Sequence, residues 1–207
     1  STPGPFFATV ILAGIALDLA GSEAQKQQYL PQIADGSLKA TVALLEDPPR
    51  WDADGVRLQA QQDGDGFTLS GTKLFVHDAH NADILIVPAR TSGSGAAGVT
   101  LFLVDANASG VGTQVMSTMD QTRKLCEVTL DGVRVGADAI LGTVDQGWET
   151  LVTVTDHAKV ALCAEMCGGA QRVLDMSVEY AKVREQFGKP IGSFQAIQHK
   201  LSLIHIS

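Results

Sequence analysis

The chain has 207 residues, 45% hydrophobic and 18% charged, with a formal net charge of −8 at pH 7. That length and apolar content support a real core, in one large or two small domains, and exclude an intrinsically disordered chain. The acidic balance, with no basic stripe, excludes a dedicated nucleic-acid binder but leaves room for an anionic ligand held by a few local cations. Three cysteines (Cys126, Cys163, Cys167) lack CxxC spacing and an even count, so the expected setting is a reducing cytoplasm without a disulfide framework. The apolar run in STPGPFFATVILAGIALDLAG has no basic residues ahead of it and is cut by Asp18, so neither a signal peptide nor a membrane span is expected.

In chain order, residues 1–37 read as helical. SEAQ (22–25) is a capping box opening a helix that Pro31 disturbs near its end, and Asp35-Gly36 marks a turn. From residue 38 to 145 the period changes to two. TVALLE, VRLQAQ, GFTLSGTKLFV, DILIVPAR, VTLFLVD and KLCEVTLDGVRV are short strands separated by turn residues, with DGDG (63–66) as a tight hairpin. No helix-length segment intervenes, so an antiparallel meander, barrel or sandwich is expected.

Residues 146–200 return to the helical period. Val154, Ala158, Leu162, Met166, Ala170, Val173, Ser177, Tyr180 and Val183 predict one helix from Leu151 to Phe187, roughly 55 Å long. Gly168-Gly169 inside it predicts close packing of another backbone there. Gly188 and Pro190 end the helix, and Ser193 is the expected N-cap of the next. The fold class is therefore α+β and multidomain: an N-terminal helical part, a middle β domain and the beginning of a C-terminal helical bundle.

Several motifs carry candidate chemistry. GSGAAG (93–98) satisfies GxGxxG, but the strand VTLFLVD follows where a dinucleotide fold needs a helix, so a hairpin loop is expected. Cys163 and Cys167, one turn apart among apolar neighbours, read as core rather than as metal ligands, and Glu165 reads as a partnered or peripheral carboxylate. His77 and Asp78 follow the strand KLFV, where loops meet ligands. Arg184, Gln186 and Phe187 offer a fork-shaped donor, an amide and a flat ring, a set that suits a pyrophosphate and an adenine but also an ordinary solvated surface.

GSEAQKQQYLPQIADGSL (21–38), DGDGFTLSGTK (63–73), LDGVRV (130–135) and above all AQRVLDMSVEYAKVREQFGKPIGSFQAIQHKL (170–201) resemble the flavin-dependent acyl-CoA dehydrogenases. The resemblance implies a helical N-terminal domain, a middle β domain and a C-terminal four-helix domain around FAD and an acyl thioester. A glutamate base takes the α-proton while hydride leaves the β-carbon for the flavin. By position, Leu45, Glu46, Phe75, Val76 and His77 correspond to flavin-contacting segments. Arg184, Gln186, Phe187 and Gln195 correspond to residues that bind the FAD adenine and pyrophosphate of a neighbouring subunit, which implies an oligomer. Asp156 and Lys159 correspond to the acyl-CoA end of the site.

The departures are specific. Asp47 to Asp52 (DPPRWD) replaces a run of small residues, and His77 replaces a threonine. Ala158 stands where a minority of members place the catalytic glutamate, so no base is expected there. The commoner position is expected beyond residue 207. HAKVALCAEMCGG and TKLFVHDAHNADILIV resemble a branch whose subunits pair with an unlike homologue into heterotetramers. The expected function is thus FAD-dependent α,β-dehydrogenation of an acyl-CoA in a homo- or hetero-tetramer, with electrons passed to an acceptor. The alternative is a catalytically silent FAD- or CoA-binding partner subunit. The match stops after Leu201, so LSLIHIS (201–207) is expected to be adapter-derived sequence. The chain is expected to be a fragment whose long helix lacks bundle partners.

Overall fold

The structure, a computed structural model, describes residues 4–206. It divides into two compact units, one reaching to Ala158 and one from Lys159 onward, so the boundary falls inside a single helix.

In the first unit a π-helical stretch, Phe7–Gly14, runs directly into α1 (Ile15–Ala20), and α2 (Glu23–Asp35) follows. The capping box forms as the sequence predicts. Ser22 Oγ accepts from the Gln25 amide at 3.2 Å, while Gln25 Oε1 accepts from the Ser22 amide at 2.9 Å. Pro31 is accommodated within α2, which ends at Gly36 with φ 80°.

Eight strands follow: β1 (Ala40–Val42), β2 (Gln59–Asp63), β3 (Gly66–His77), β4 (Ile84–Arg90), β5 (Val99–Asp105), β6 (Val111–Val115), β7 (Leu125–Val135) and β8 (Ile140–Leu141). Among the described residues they form one sheet in the order β6-β7-β3-β2-β4-β5-β8, with β1 added on β4. Pairing is antiparallel except for β1 on β4 and a single Gln59–Arg90 contact of β2 with β4. Gly64, at φ 65°, turns β2 into β3 in register Asp63–Gly66. The GSGAAG segment joins β4 to β5 as a loop, with a strand after it and no helix, which removes the nicotinamide-dinucleotide reading.

The sheet curls on itself. Phe67 of β3 and Phe102 of β5 lie on strands that are not neighbours, yet their rings meet at 5.2 Å. They pack with Leu69, Leu85, Val87, Val128 and Leu130 in an enclosed core. The opposite face is covered by α1, α2 and the first turns of α3 (Gly147–Val183), through Leu17, Ile33, Leu151 and Val154 against Ile86, Leu101 and Leu103.

Polar side chains tie the helical cover to the β domain: Thr9 Oγ1 accepts from the Ala40 amide at 3.2 Å, and Gln25 makes two further bonds. The Gln25 amide donates to the carbonyls of Asp138 and Ile140, both at 2.9 Å.

In the second unit, α3 continues from Lys159 and is followed by a small hairpin, β9 (Glu185–Gln186) and β10 (Lys189–Pro190), and by α4 (Gln195–Ile206). The long helix begins four residues before its predicted start and ends four before its predicted end. The chain after Val183 leaves the helix because Phe187 and Gly188, at φ 54° and 77°, form a two-residue turn. Gly168 and Gly169 face open space rather than a packed backbone, and Val160, Met166, Val173 and Met176 are exposed. Ser193 does not cap α4. Its hydroxyl donates to the Pro190 carbonyl at 2.8 Å in a 3₁₀ turn (Ile191–Ser193), and the helix starts two residues later.

Replacing Gln25 with Ala removes half of the capping box and two buried donors together. Unfolding in urea should show a loss of about 2 kcal/mol.

Candidate functional site

Glu46 and Lys73 form the buried centre of the first unit's candidate site. Lys73 lies on β3 with no exposed surface, and its ammonium donates to Glu46 Oε1 at 2.6 Å and, more weakly, to the Leu44 carbonyl at 3.4 Å. The Glu46 carboxylate also accepts from the backbone amides of Arg57 and Leu58, at 3.1 and 3.0 Å. Burial pulls the Lys73 ammonium down to about 8, against the opposing attraction of Glu46. Glu46 is therefore turned into the protein and saturated with donors. Its carboxylate anchors the segment from inside the protein.

Beside this pair, β3 bulges. Lys73 pairs with Val128 and Val76 with Cys126, so β3 carries one residue more than β7 between the two contacts. Leu74 donates its amide to the Leu45 carbonyl at 2.8 Å, bridging the segment after β1 to the bulge. Phe75 takes φ 56° there and is 38% exposed. A bulky side chain at positive φ is an outlier that needs the surrounding structure to hold it. Val76 points into the core and offers only backbone outward.

His77 ends β3. Phe7 meets its ring edge-on at 5.8 Å, and the Arg123 guanidinium sits 5.6 Å from the centre of the Phe7 ring. Burial holds the His77 imidazole below its ordinary value; Asp78 opposes this and Arg123 reinforces it. The imidazole is therefore neutral at pH 7.

The loop after Glu46 is tethered near its far end. Asp52 binds the Arg50 guanidinium at 2.6 Å and accepts from the Gly55 amide at 3.1 Å, while Trp51 is exposed.

In the second unit, Arg184, Gln186, Phe187 and Gln195 are all exposed around the β9–β10 turn. Phe187 occupies the first position of the turn with 91% of its surface open, and its ring contacts Phe194 edge-on at 6.1 Å. The amide of Ile191 donates to the Arg184 carbonyl at 2.8 Å and closes the hairpin onto the end of α3. On α3, Asp156 and Lys159 are exposed and Ala158 is buried.

Residues 44–133 match the sequence model described as "Acyl-CoA dehydrogenase, middle domain", and residues 145–207 match "Acyl-CoA dehydrogenase, C-terminal domain". The chain belongs to the acyl-CoA dehydrogenase family. It is 34% identical over 196 residues to 3-(aryl)acrylate reductase of Clostridium sporogenes, covering 92% of this chain and 52% of that protein. The structure of butyryl-CoA dehydrogenase from Megasphaera elsdenii superposes with a TM-score of 0.92 at 31% identity, covering 98% of this chain and 54% of that one. A glutaryl-CoA dehydrogenase from Mycobacterium smegmatis, solved in complex with FADH2, gives 0.86 at 26% identity, covering 97% and 51%. The chain thus spans about half the length of the curated relatives it matches.

Within this acyl-CoA dehydrogenase chain, three residues that sequence reasoning missed shape the site. Lys73 is the partner of Glu46, and its signal was a lone cation in the apolar strand GTKLFV. Phe7 and Arg123 surround His77, and no local pattern joins positions so far apart in sequence. Cys163 and Cys167, expected in a core, are exposed because nothing covers that face of α3 among the described residues. Cys126 is buried beside His80, and burial pushes its thiol up. Among the described residues no cluster of His, Cys, Asp or Glu could hold a metal ion, and no helix is long and apolar enough to cross a membrane.

Three outcomes test this geometry. Phe75→Gly relieves the positive φ while deleting a partly buried ring, so its stability should stay within about 1 kcal/mol of the parent. Phe102→Ala in the core should lose about 3–5 kcal/mol in the same urea titration. His77 has a folded-state value below its unfolded one, so the stability it contributes is complete above pH 6.5 and is lost as pH falls through the folded value. Relative to His77→Gln, the parent should therefore weaken in urea on acidification below pH 6.5.

Proposed function

We propose that the protein containing this chain is a subunit of an FAD-dependent acyl-CoA dehydrogenase, acting on a thioester as a homo- or hetero-tetramer of homologous subunits. The observation that carries this reading is a pair of exposed aromatic rings, Phe75 and Phe187. Phe75 is held at positive φ by the bulge in β3 and Phe187 by the β9–β10 turn, and each stands where the family resemblance assigns a cofactor contact. Backbone strain at an exposed aromatic has no folding benefit, so a ligand for the ring is the economical explanation.

The residues present fit a flat dinucleotide. Phe75 would lie against the flavin, with Leu45 and Val76 contributing backbone and Glu46 fixing the segment from behind. Neutral His77 would offer a ring nitrogen as a hydrogen-bond partner in place of a threonine hydroxyl. Arg184, Gln186, Phe187 and Gln195 would hold the adenine and pyrophosphate of another subunit's FAD, since an exposed fork, amides and a flat ring match those groups. Asp156 and Lys159 would meet the acyl-CoA end. When bound, FAD supplies the acceptor for hydride from the substrate β-carbon. Ala158 has no ionisable group, so the α-proton is not taken at that position. The reduced cofactor requires an electron acceptor, and a cytoplasmic protein partner suits that need.

The full-length protein, produced together with a homologous partner subunit, should be yellow and should bleach when an acyl-CoA is added anaerobically. A folded but colourless complex would overturn the reading. A yellow complex that no acyl-CoA bleaches would favour a silent partner subunit instead. Arg184→Met with Phe187→Ala should weaken FAD retention by about tenfold or more, measured as flavin released on dilution.

A further inference from the structure

Lys73 cannot touch any ligand, because none of its side chain reaches the surface. It nevertheless stands two residues before Phe75, at the register contact from which the bulge begins. Among the described residues, few hydrogen bonds join the segment after β1 to this end of β3. They are the ammonium of Lys73 on Glu46 and on the Leu44 carbonyl, and the Leu74 amide on the Leu45 carbonyl.

A buried ion pair is a poor source of stability, since well-packed apolar residues of similar volume often do as well or better. Its use lies in specifying one arrangement. Strand register here is consequential: a slip of one residue along β3 would turn Phe75 into the core and Val76 outward. Charge fixed at Lys73 opposes that slip, because the ammonium can reach a carboxylate from one register only.

We propose that Lys73 is a positioning residue for the flavin. Through Glu46 it locks residues 44–46 against the bulged end of β3 and so sets where Phe75 and His77 are presented. This rests on the flavin reading above. The groups facing the Lys73 ammonium are the Glu46 carboxylate, the Leu44 carbonyl and, at longer range, the Arg57 guanidinium, which repels it.

The test uses the full-length protein, with FAD affinity, the visible circular dichroism of bound flavin and urea unfolding measured side by side. Lys73→Met alone leaves buried Glu46 with only the half-exposed Arg57 guanidinium, 3.9 Å away, as counter-charge and should lose both stability and FAD. The combined Glu46→Gln and Lys73→Met protein restores neutrality, and its unfolding should return close to that of the parent. Its FAD affinity should stay at least about tenfold weaker, with an altered flavin dichroism. Full recovery of affinity and dichroism along with stability would make the pair a structural element only and overturn the proposal.

A second measurement needs no variant. In the parent protein, FAD release should accelerate as pH rises through about 8, where the ammonium loses its proton. Release that is flat with pH would overturn the proposal as well. A parent protein that binds no FAD at all would instead defeat the underlying flavin reading, which the parent arm reports by itself.

Discussion

A carboxylate and an ammonium, both removed from water, constrain everything around the candidate flavin surface. Glu46 gathers the amides of two consecutive residues, Arg57 and Leu58, along with the Lys73 side chain. Three stretches of chain separated by loops thus converge on one group of two oxygens. Each charge is expensive to bury alone and tolerable with its partner. The pair thereby joins the segment after β1, the residues just before β2 and the bulged end of β3. The enclosed apolar core beneath, with Phe67 and Phe102 in contact, makes the scaffold rigid enough for that convergence.

Against this rigidity, strain is admitted at few points. Among the described residues, Phe75, Asp78, Asp145 and Phe187 are the non-glycine residues at positive φ. Asp145 is bound by the Thr91 hydroxyl at 2.6 Å, a local structural reason for its conformation. The two phenylalanines have no such polar compensation, and both rings are open to solvent. One is pinned by a β-bulge and the other by a two-residue hairpin turn. Different local devices therefore produce the same result, an aromatic face offered outward from backbone that cannot easily rearrange.

Much of the fold was legible because its signals are local. The Ser22–Gln25 capping box, the Gly64 turn and the short continuous apolar runs in DILIVPAR and VTLFLVD each act within a few residues. The change of period at Gly147 reported α3 for the same reason. The parallel pairing of β1 with β4 was not legible, since residues 40 and 84 share no sequence cue. The candidate site was legible through its family motif but not through its physics. The bulge at Phe75 depends on how β3 meets β7, and the Glu46–Lys73 bond joins residues 27 apart. The C-terminal end of helix α3 was read four residues too late because the helical period persists in composition, whereas Phe187-Gly188 dictates a turn. The glycine pair at 168–169 predicted a close neighbour, and the surface there is bare.

The loop from Asp47 to Asp52 hangs between two fixed posts. Glu46 is sunk in the protein on one side, and Asp52 is fastened to Arg50 and to the Gly55 amide on the other. Between them Pro48, Pro49 and Trp51 lie exposed. Substitutions at Pro48, Pro49 and Trp51 leave the posts and the ring-bearing edge they support untouched, whereas Arg50 belongs to the second post. The loop can thus change at three exposed positions without disturbing the buried carboxylate that anchors it.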